Sequence, residues 1–137
     1  MSKSQPFRVL ERGDLRVVSV HGDLDLRTAS AFATAMTTAL SVRPPASLVV
    51  DLTACSFMDS SGIVRLLHAD DSARKTDVTF AVVADPQTQP CRVLKLTRCL
   101  PDRLQWFSNL PSAEAAFCRR PRRRFPWPAS PVLDAVR

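Results

Sequence analysis

The sequence predicts a single α/β domain, a mixed sheet with helices packed against it, in the order β-β-α-β-α-β-α-β-α. Leu15–Val20 is a valine-rich run set off by turn residues, the mark of a strand. Leu48–Leu52 is a nearly uniform apolar run, which suits a central strand covered on both faces. Stretches of 3.6-residue period separate such runs, and that alternation argues for layers of helix and sheet. The 137 residues suffice for one core but not two.

Phe7–Leu10 and Leu15–Val20 read as two strands joined by the turn Glu11-Arg12-Gly13-Asp14. A helix is expected from about Thr28, with Phe32, Met36, Ala39 and Leu40 on one face, ended by Arg43-Pro44-Pro45. After the Leu48–Leu52 strand, Gly62–Lys75 is helical with Ile63, Leu66 and Leu67 inward. Val78–Val83 is a buried strand, and Asp85–Leu96 a helix opened by Pro86 and Pro90. Leu104–Phe107 reads as an edge strand. A last helix follows, with Ser112 as N-cap and Glu114 in its first turn.

The domain is expected over residues 7–117, with an N-terminal arm over 1–6 and a tail over 118–137. Arg119–Pro128 is half arginine and holds three prolines, a composition that resists a packed fold. Of the net charge of +6, +5 belongs to this tail, which carries six arginines and one aspartate. The other 117 residues hold 13 basic and 12 acidic side chains. Direct nucleic-acid binding by the body is therefore not expected, although the tail, with Phe125 and Trp127, leaves it open.

Cys55, Cys91, Cys99 and Cys118 show no C-x-x-C spacing, and only two histidines accompany them. No metal set is offered, and the thiols read as buried or incidental. No stretch approaches the ~20 apolar residues of a membrane span. Met1–Pro6 lacks the apolar segment of a secretory signal. Both points suggest a cytoplasmic protein.

The chemistry concentrates in Ser56-Phe57-Met58-Asp59-Ser60-Ser61-Gly62, read as a polar turn between strand and helix. Two hydroxyls beside a carboxylate at a helix mouth are well placed to accept a phosphate, because unpaired N–H groups and the helix dipole favour negative charge there. Helix capping by Asp59 or Ser60 accounts for one polar residue but not for the whole set. A serine hydrolase elbow needs G-x-S-x-G, and Met58 fills the first glycine position. Its base is also missing, since the last histidine, His68, lies about two turns along the same helix. Neither G-x-x-x-x-G-K-[ST] nor G-x-G-x-x-G is present, so no phosphate loop or cofactor site is expected.

Phe57-Met58-Asp59-Ser60-Ser61-Gly62-Ile63 resembles the signature of STAS-domain anti-sigma factor antagonists. Gly22-Asp23-Leu24-Asp25, with Thr28, is similar to the same family's second motif, a turn before the first helix. The resemblance spans about residues 7–117 and implies a bacterial partner-switching role without enzymatic activity. Ser60 is then the phosphorylated serine, with Ser61 a secondary candidate better suited to capping. The kinase is the anti-sigma factor, which binds ATP and Mg and is both partner and enzyme. The unphosphorylated antagonist holds it and frees the sigma factor; phosphorylation releases it, and a PP2C-type phosphatase restores the first state. Gly22, Asp23, Leu24 and Asp25, with Met58, Asp59, Ser61 and Gly62, form the implied partner surface.

Two positions depart from the family pattern. Asp70 stands where the helix usually stays apolar, so that end is expected to be exposed or to meet a partner. Arg98 stands where a helix-ending glycine is common, so the turn Arg98–Pro101 is expected to differ locally. The alternative reading is a STAS module serving as a structural or ligand-binding subunit of a transport or stress-signalling complex.

Overall fold

The computed structural model describes residues 6–118; the expected arm before Pro6 and the arginine-rich segment after Cys118 lie outside the described residues. The chain begins with β1 (Phe7–Arg12), β2 (Leu15–Val20), β3 (Gly22–Leu24), α1 (Leu26–Ser41) and β4 (Ser47–Asp51). It continues through β5 (Cys55–Met58), α2 (Ser60–Lys75), β6 (Thr79–Val83), α3 (Gln89–Leu96), β7 (Gln105–Phe107) and α4 (Leu110–Cys118). β1 and β2 are antiparallel, and β4, β6 and β7 add in parallel, giving the order β1-β2-β4-β6-β7. The sheet is mixed, as expected.

Period-2 alternation divides the core. Val18, Val20, Leu48, Val50 and Val82 face α1, α2 and α3, meeting Phe32, Met36, Leu66 and Leu94. Leu15, Val17, Val49, Ala81 and Val83 form the opposite face and pack under α4 through Ala113. Phe32 is fully enclosed and stacks edge-on against Phe7 at 5.6 Å. Burying one such side chain contributes about 1.5–3 kcal/mol. Arg16, on β2, donates to the carbonyls of Ala39, Val42 and Arg43 and so satisfies the end of α1.

Several expectations need correction. Two short strands, β3 and β5, form a separate parallel pair, so Cys55–Met58 is extended rather than part of a turn. α1 starts at Leu26, two residues early, because Asp25 caps it. α3 starts at Gln89: Asp85 instead closes a turn, accepting from Gln87 N at 2.9 Å through its side chain and from Thr88 N at 3.0 Å through its carbonyl. Asn109, not Ser112, caps α4, since Asn109 Oδ1 accepts from Ser112 N at 2.8 Å. That start leaves Glu114 beyond the first turn, 3.5 Å from Arg12.

Asp70 is neither exposed nor waiting for a partner. It is buried and held by Arg103 Nη1 at 2.5 Å and Arg74 Nε at 3.1 Å. The hydrogen bond to Asp70 also raises the Arg103 pKa above its ordinary value. Arg98 does adopt the left-handed conformation, at φ 64° and ψ 22°, despite having a side chain. Its N–H donates to Lys95 O at 3.0 Å, so it ends α3 where a glycine would be more comfortable.

Candidate functional site

The site is built on the β3–β5 pair. Their parallel register sets Leu24 beside Met58, so the next residues, Asp25 and Asp59, fall side by side. Each is still extended and caps the helix that follows, which starts α1 and α2 next to one another. Leu24 and Met58 are completely buried and anchor this corner to the core. Their side chains offer no surface to a partner in this state. Gly22, at φ +91°, makes the turn into β3 in a conformation that a side chain would oppose.

Asp25 makes a reciprocal cap. Its carboxylate accepts from Arg27 N at 3.0 Å and Thr28 N at 3.3 Å, while its own N–H donates to Thr28 Oγ1 at 3.0 Å. Partial desolvation would raise the Asp25 carboxyl, but the Arg27 charge and these N–H donors outweigh it and hold the pKa below the ordinary 3.8. Arg27 lies 3.5 Å from Asp25 and 3.9 Å from Asp23 and so balances both acids.

At the second helix, Asp59 Oδ1 accepts from Ser61 N at 2.9 Å and Gly62 N at 3.4 Å. Capping therefore belongs to Asp59, and not to Ser60 or Ser61. Ser60 is the first residue of α2 and is exposed; among the described residues its hydroxyl has no hydrogen-bond partner. Ser61 is half-buried. Gly62 is buried against Leu24, where a Cβ would lie 2.6 Å from the Leu24 carbonyl oxygen. A larger residue would force α2 off β3, so this glycine sets how closely the helix mouth approaches the pair.

Other residues on this corner were not among the expected contact residues, although Phe57 heads the motif that holds Ser60. Phe57 stands opposite Asp23 in the β3–β5 register and is 44% exposed. Leu26 opens α1 at 77% exposure, and Val64 lies one helical turn beyond Ser60 at 46%. Large apolar groups in water around a free hydroxyl make a surface suited to contact with another macromolecule. Gln89, at the start of α3, bonds the Met58 backbone from the side away from β3. The exposures of Leu26 and Val64 could have been sought at helical spacing, whereas Gln89 stands 31 residues from its partner.

The remaining chemistry stays away from Ser60. His68 is exposed and, with Arg65, lines a groove of about 480 Å³ between α1 and α2. A cavity of about 630 Å³ near Asp70, Arg74 and Arg103 lies toward the far end of α2. Cys55, Cys91 and Cys99 are buried free thiols, and burial pushes the Cys55 thiol up to about 11. Among the described residues no cluster of histidine, cysteine or acidic side chains could hold a metal ion. No described helix is long and apolar enough to cross a membrane.

The family model for the STAS domain matches residues 7–113. A comparison with curated protein sequences returns no significant match. Among solved structures, an anti-sigma factor antagonist from Mycobacterium paratuberculosis is 32% identical. It superposes with a TM-score of 0.71 over 80% of this chain and 91% of that one. The anti-sigma factor antagonist SpoIIAA in its unphosphorylated form is 16% identical, with a TM-score of 0.62 over 82% of this chain and 97% of that one. Its phosphorylated form, from Bacillus, gives 15% identity and 0.59 over 80% and 98%. A sulfate transporter family protein from Wolinella succinogenes is 13% identical, with a TM-score of 0.59 over 75% and 84%. At those lower identities the likeness is one of fold. The match over most of the domain and the 32% relative place the chain plainly: it belongs to the STAS domain family, with the architecture of its anti-sigma factor antagonists.

Proposed function

We propose that this chain is an anti-sigma factor antagonist whose binding state is set by phosphorylation of Ser60. The observation that carries the reading is the pairing at the mouth of α2: Ser60 is exposed and unpartnered, while the neighbouring Asp59 satisfies the helix N-terminus. The hydroxyl can therefore be modified without undoing the cap. The likeness to the mycobacterial antagonist supports the partner class. SpoIIAA is a protein of the same fold that exists in phosphorylated and unphosphorylated forms.

A phosphoserine adds about −1.5 to −2 charges at pH 7. It would stand beside Asp59, with Asp25 next in the β3–β5 register. A surface that meets its partner through Leu26, Phe57, Val64 and a neutral hydroxyl would then carry a cluster of like charge. Such a change can cost an interface several kcal/mol. The chain supplies the acceptor hydroxyl and is not itself an enzyme. Base, metal and nucleotide come from the partner, an anti-sigma factor with serine kinase activity. A PP2C-type phosphatase reverses the step, and the setting is the bacterial cytoplasm. Gly22, Asp23, Asp25, Asp59 and Ser61 border the contact, with Leu24, Met58 and Gly62 as its support.

The test is partner affinity across Ser60 variants. Ser60→Ala should bind the anti-sigma factor like the unmodified chain and take no phosphate, whereas Ser60→Asp should bind at least about tenfold more weakly. Equal affinity of all three forms would remove the switch. Stable co-purification with an assembly that contains no kinase, and no phosphate on Ser60, would favour a STAS subunit of a transport or stress-signalling complex.

A further inference from the structure

We propose that Gln89 is a positioning residue for Ser60, acting as a clasp on the backbone of Met58. The inference rests on Ser60 being the phosphate acceptor. β5 pairs with β3 along one edge only, and its backbone groups alternate in direction. Asp59 N–H points to β3 and donates to Leu24 O at 3.3 Å. The N–H and C=O of Met58 therefore point the other way, where neither sheet offers a partner strand. Gln89 fills that edge: Met58 N donates to Gln89 Oε1 at 2.9 Å, and Gln89 Nε2 donates to Met58 O at 2.9 Å. One primary amide thus makes the two bonds that a neighbouring strand would make.

The clasp is itself held in place. Asp85 closes the turn before it, accepting from Gln87 N at 2.9 Å, and Thr88 Oγ1 donates to Asp85 O at 2.7 Å. Pro90 fixes the first turn of α3, and Cys91 is buried immediately after it. The amide arrives with little freedom left. Met58 is the residue before Asp59, whose carboxylate orders Ser61 and Gly62, and Ser60 lies between these bonded positions. A shift in the Met58 backbone is therefore passed to the direction in which Ser60 presents its hydroxyl. Phosphoryl transfer depends on such placement, and a misplacement near 1 Å can cost about 100-fold in rate.

The test compares the full chain with its Gln89→Leu and Gln89→Glu variants by residue-resolved amide hydrogen exchange. Gln89→Leu leaves both Met58 groups unpaired. Its Met58 amide should exchange at least about tenfold faster, with Ser61 and Gly62 following, while Val18 and Val50 in the main sheet keep their protection. Gln89→Glu sets a carboxylate oxygen against Met58 O at neutral pH. Below its own pKa it regains a donor, so its excess exchange should shrink on acidification, after correction for intrinsic rates, and that of Gln89→Leu should not. Unchanged Met58 protection, or uniform acceleration across the chain, would overturn the clasp.

A second arm uses the kinase that co-purifies with the protein, with ATP and Mg. Ser60 phosphorylation of Gln89→Leu should lose about tenfold or more in kcat with a smaller change in KM. A pure KM effect, or no effect, would refute the positioning role. If the wild-type chain takes no phosphate on Ser60, the proposed function fails, and with it the positioning role. The exchange arm still decides whether the clasp exists.

Discussion

Gly62 and Leu24 approach so closely that the chemistry of the helix mouth depends on a missing methyl group. A Cβ on Gly62 would stand 2.6 Å from Leu24 O, 2.9 Å from Leu24 Cγ and 3.0 Å from Met58 Cγ, and the first of these is backbone that cannot rotate away. Gly62→Ala should destabilise the fold by about 1–2 kcal/mol, overpacking being partly offset by alanine's better helix propensity. A urea midpoint at or above that of wild type would contradict this. Asp25 gives a pH signature. Its folded pKa is depressed, so its contribution is present above the ordinary carboxylate range and disappears as pH falls through the lowered value. The stability gap between wild type and Asp25→Ala should therefore be widest near pH 7 and narrow below about pH 4. Denaturation curves at several pH values measure it, and a gap that widens in acid would refute the assigned cause. At this scale the site was half legible. Asp59-Ser60-Ser61-Gly62 announced a helix mouth, but composition could not say which residue capped it, because a carboxylate and two hydroxyls are all competent.

At the scale of elements, α2 is tied at both ends. Its start is fixed by Asp59 and Gly62, and its far half by Asp70, which reaches Arg103 beyond α3. Arg103→Ala should cost about 1–2 kcal/mol by thermal or chemical denaturation. That lies below the full cost of breaking a buried pair, because Arg103 is partly in water and Arg74 remains beside Asp70. No loss of stability would mean that Asp70 is satisfied without it. Asp70 read as a surface or partner residue because its two arginines stand 4 and 33 positions away, and only the fold brings the second one near. β3 and β5 escaped for another reason: strands of three and four residues are too short to show a period. The start of α3 was misread because Pro86 looked like a first-turn proline, whereas Pro90 fills that role and Asp85 makes a turn.

At the scale of the molecule, the main sheet and its helical layers were legible because the central strands β4 and β6 are nearly uniform apolar runs and α1 and α2 each have a clear inner stripe. The secondary pair β3–β5, which brings the two motifs together, was not. It nevertheless brings Gly22–Asp25 and Met58–Gly62 to one corner, since register sets their caps side by side. The whole domain thus serves as a mount: one face of the sheet supports α1, α2 and α3, and the corner where α1 and α2 begin displays Ser60 among exposed apolar groups. The direct test of this account is to incubate the full chain with ATP, Mg and the anti-sigma factor purified with it, map the phosphate by mass spectrometry, and measure the affinity of both forms. The account predicts a single phosphate on Ser60 and at least a tenfold weaker complex afterwards, about 1.4 kcal/mol or more. Phosphate on another residue, or a phosphorylated form that binds as tightly as the free one, would contradict it.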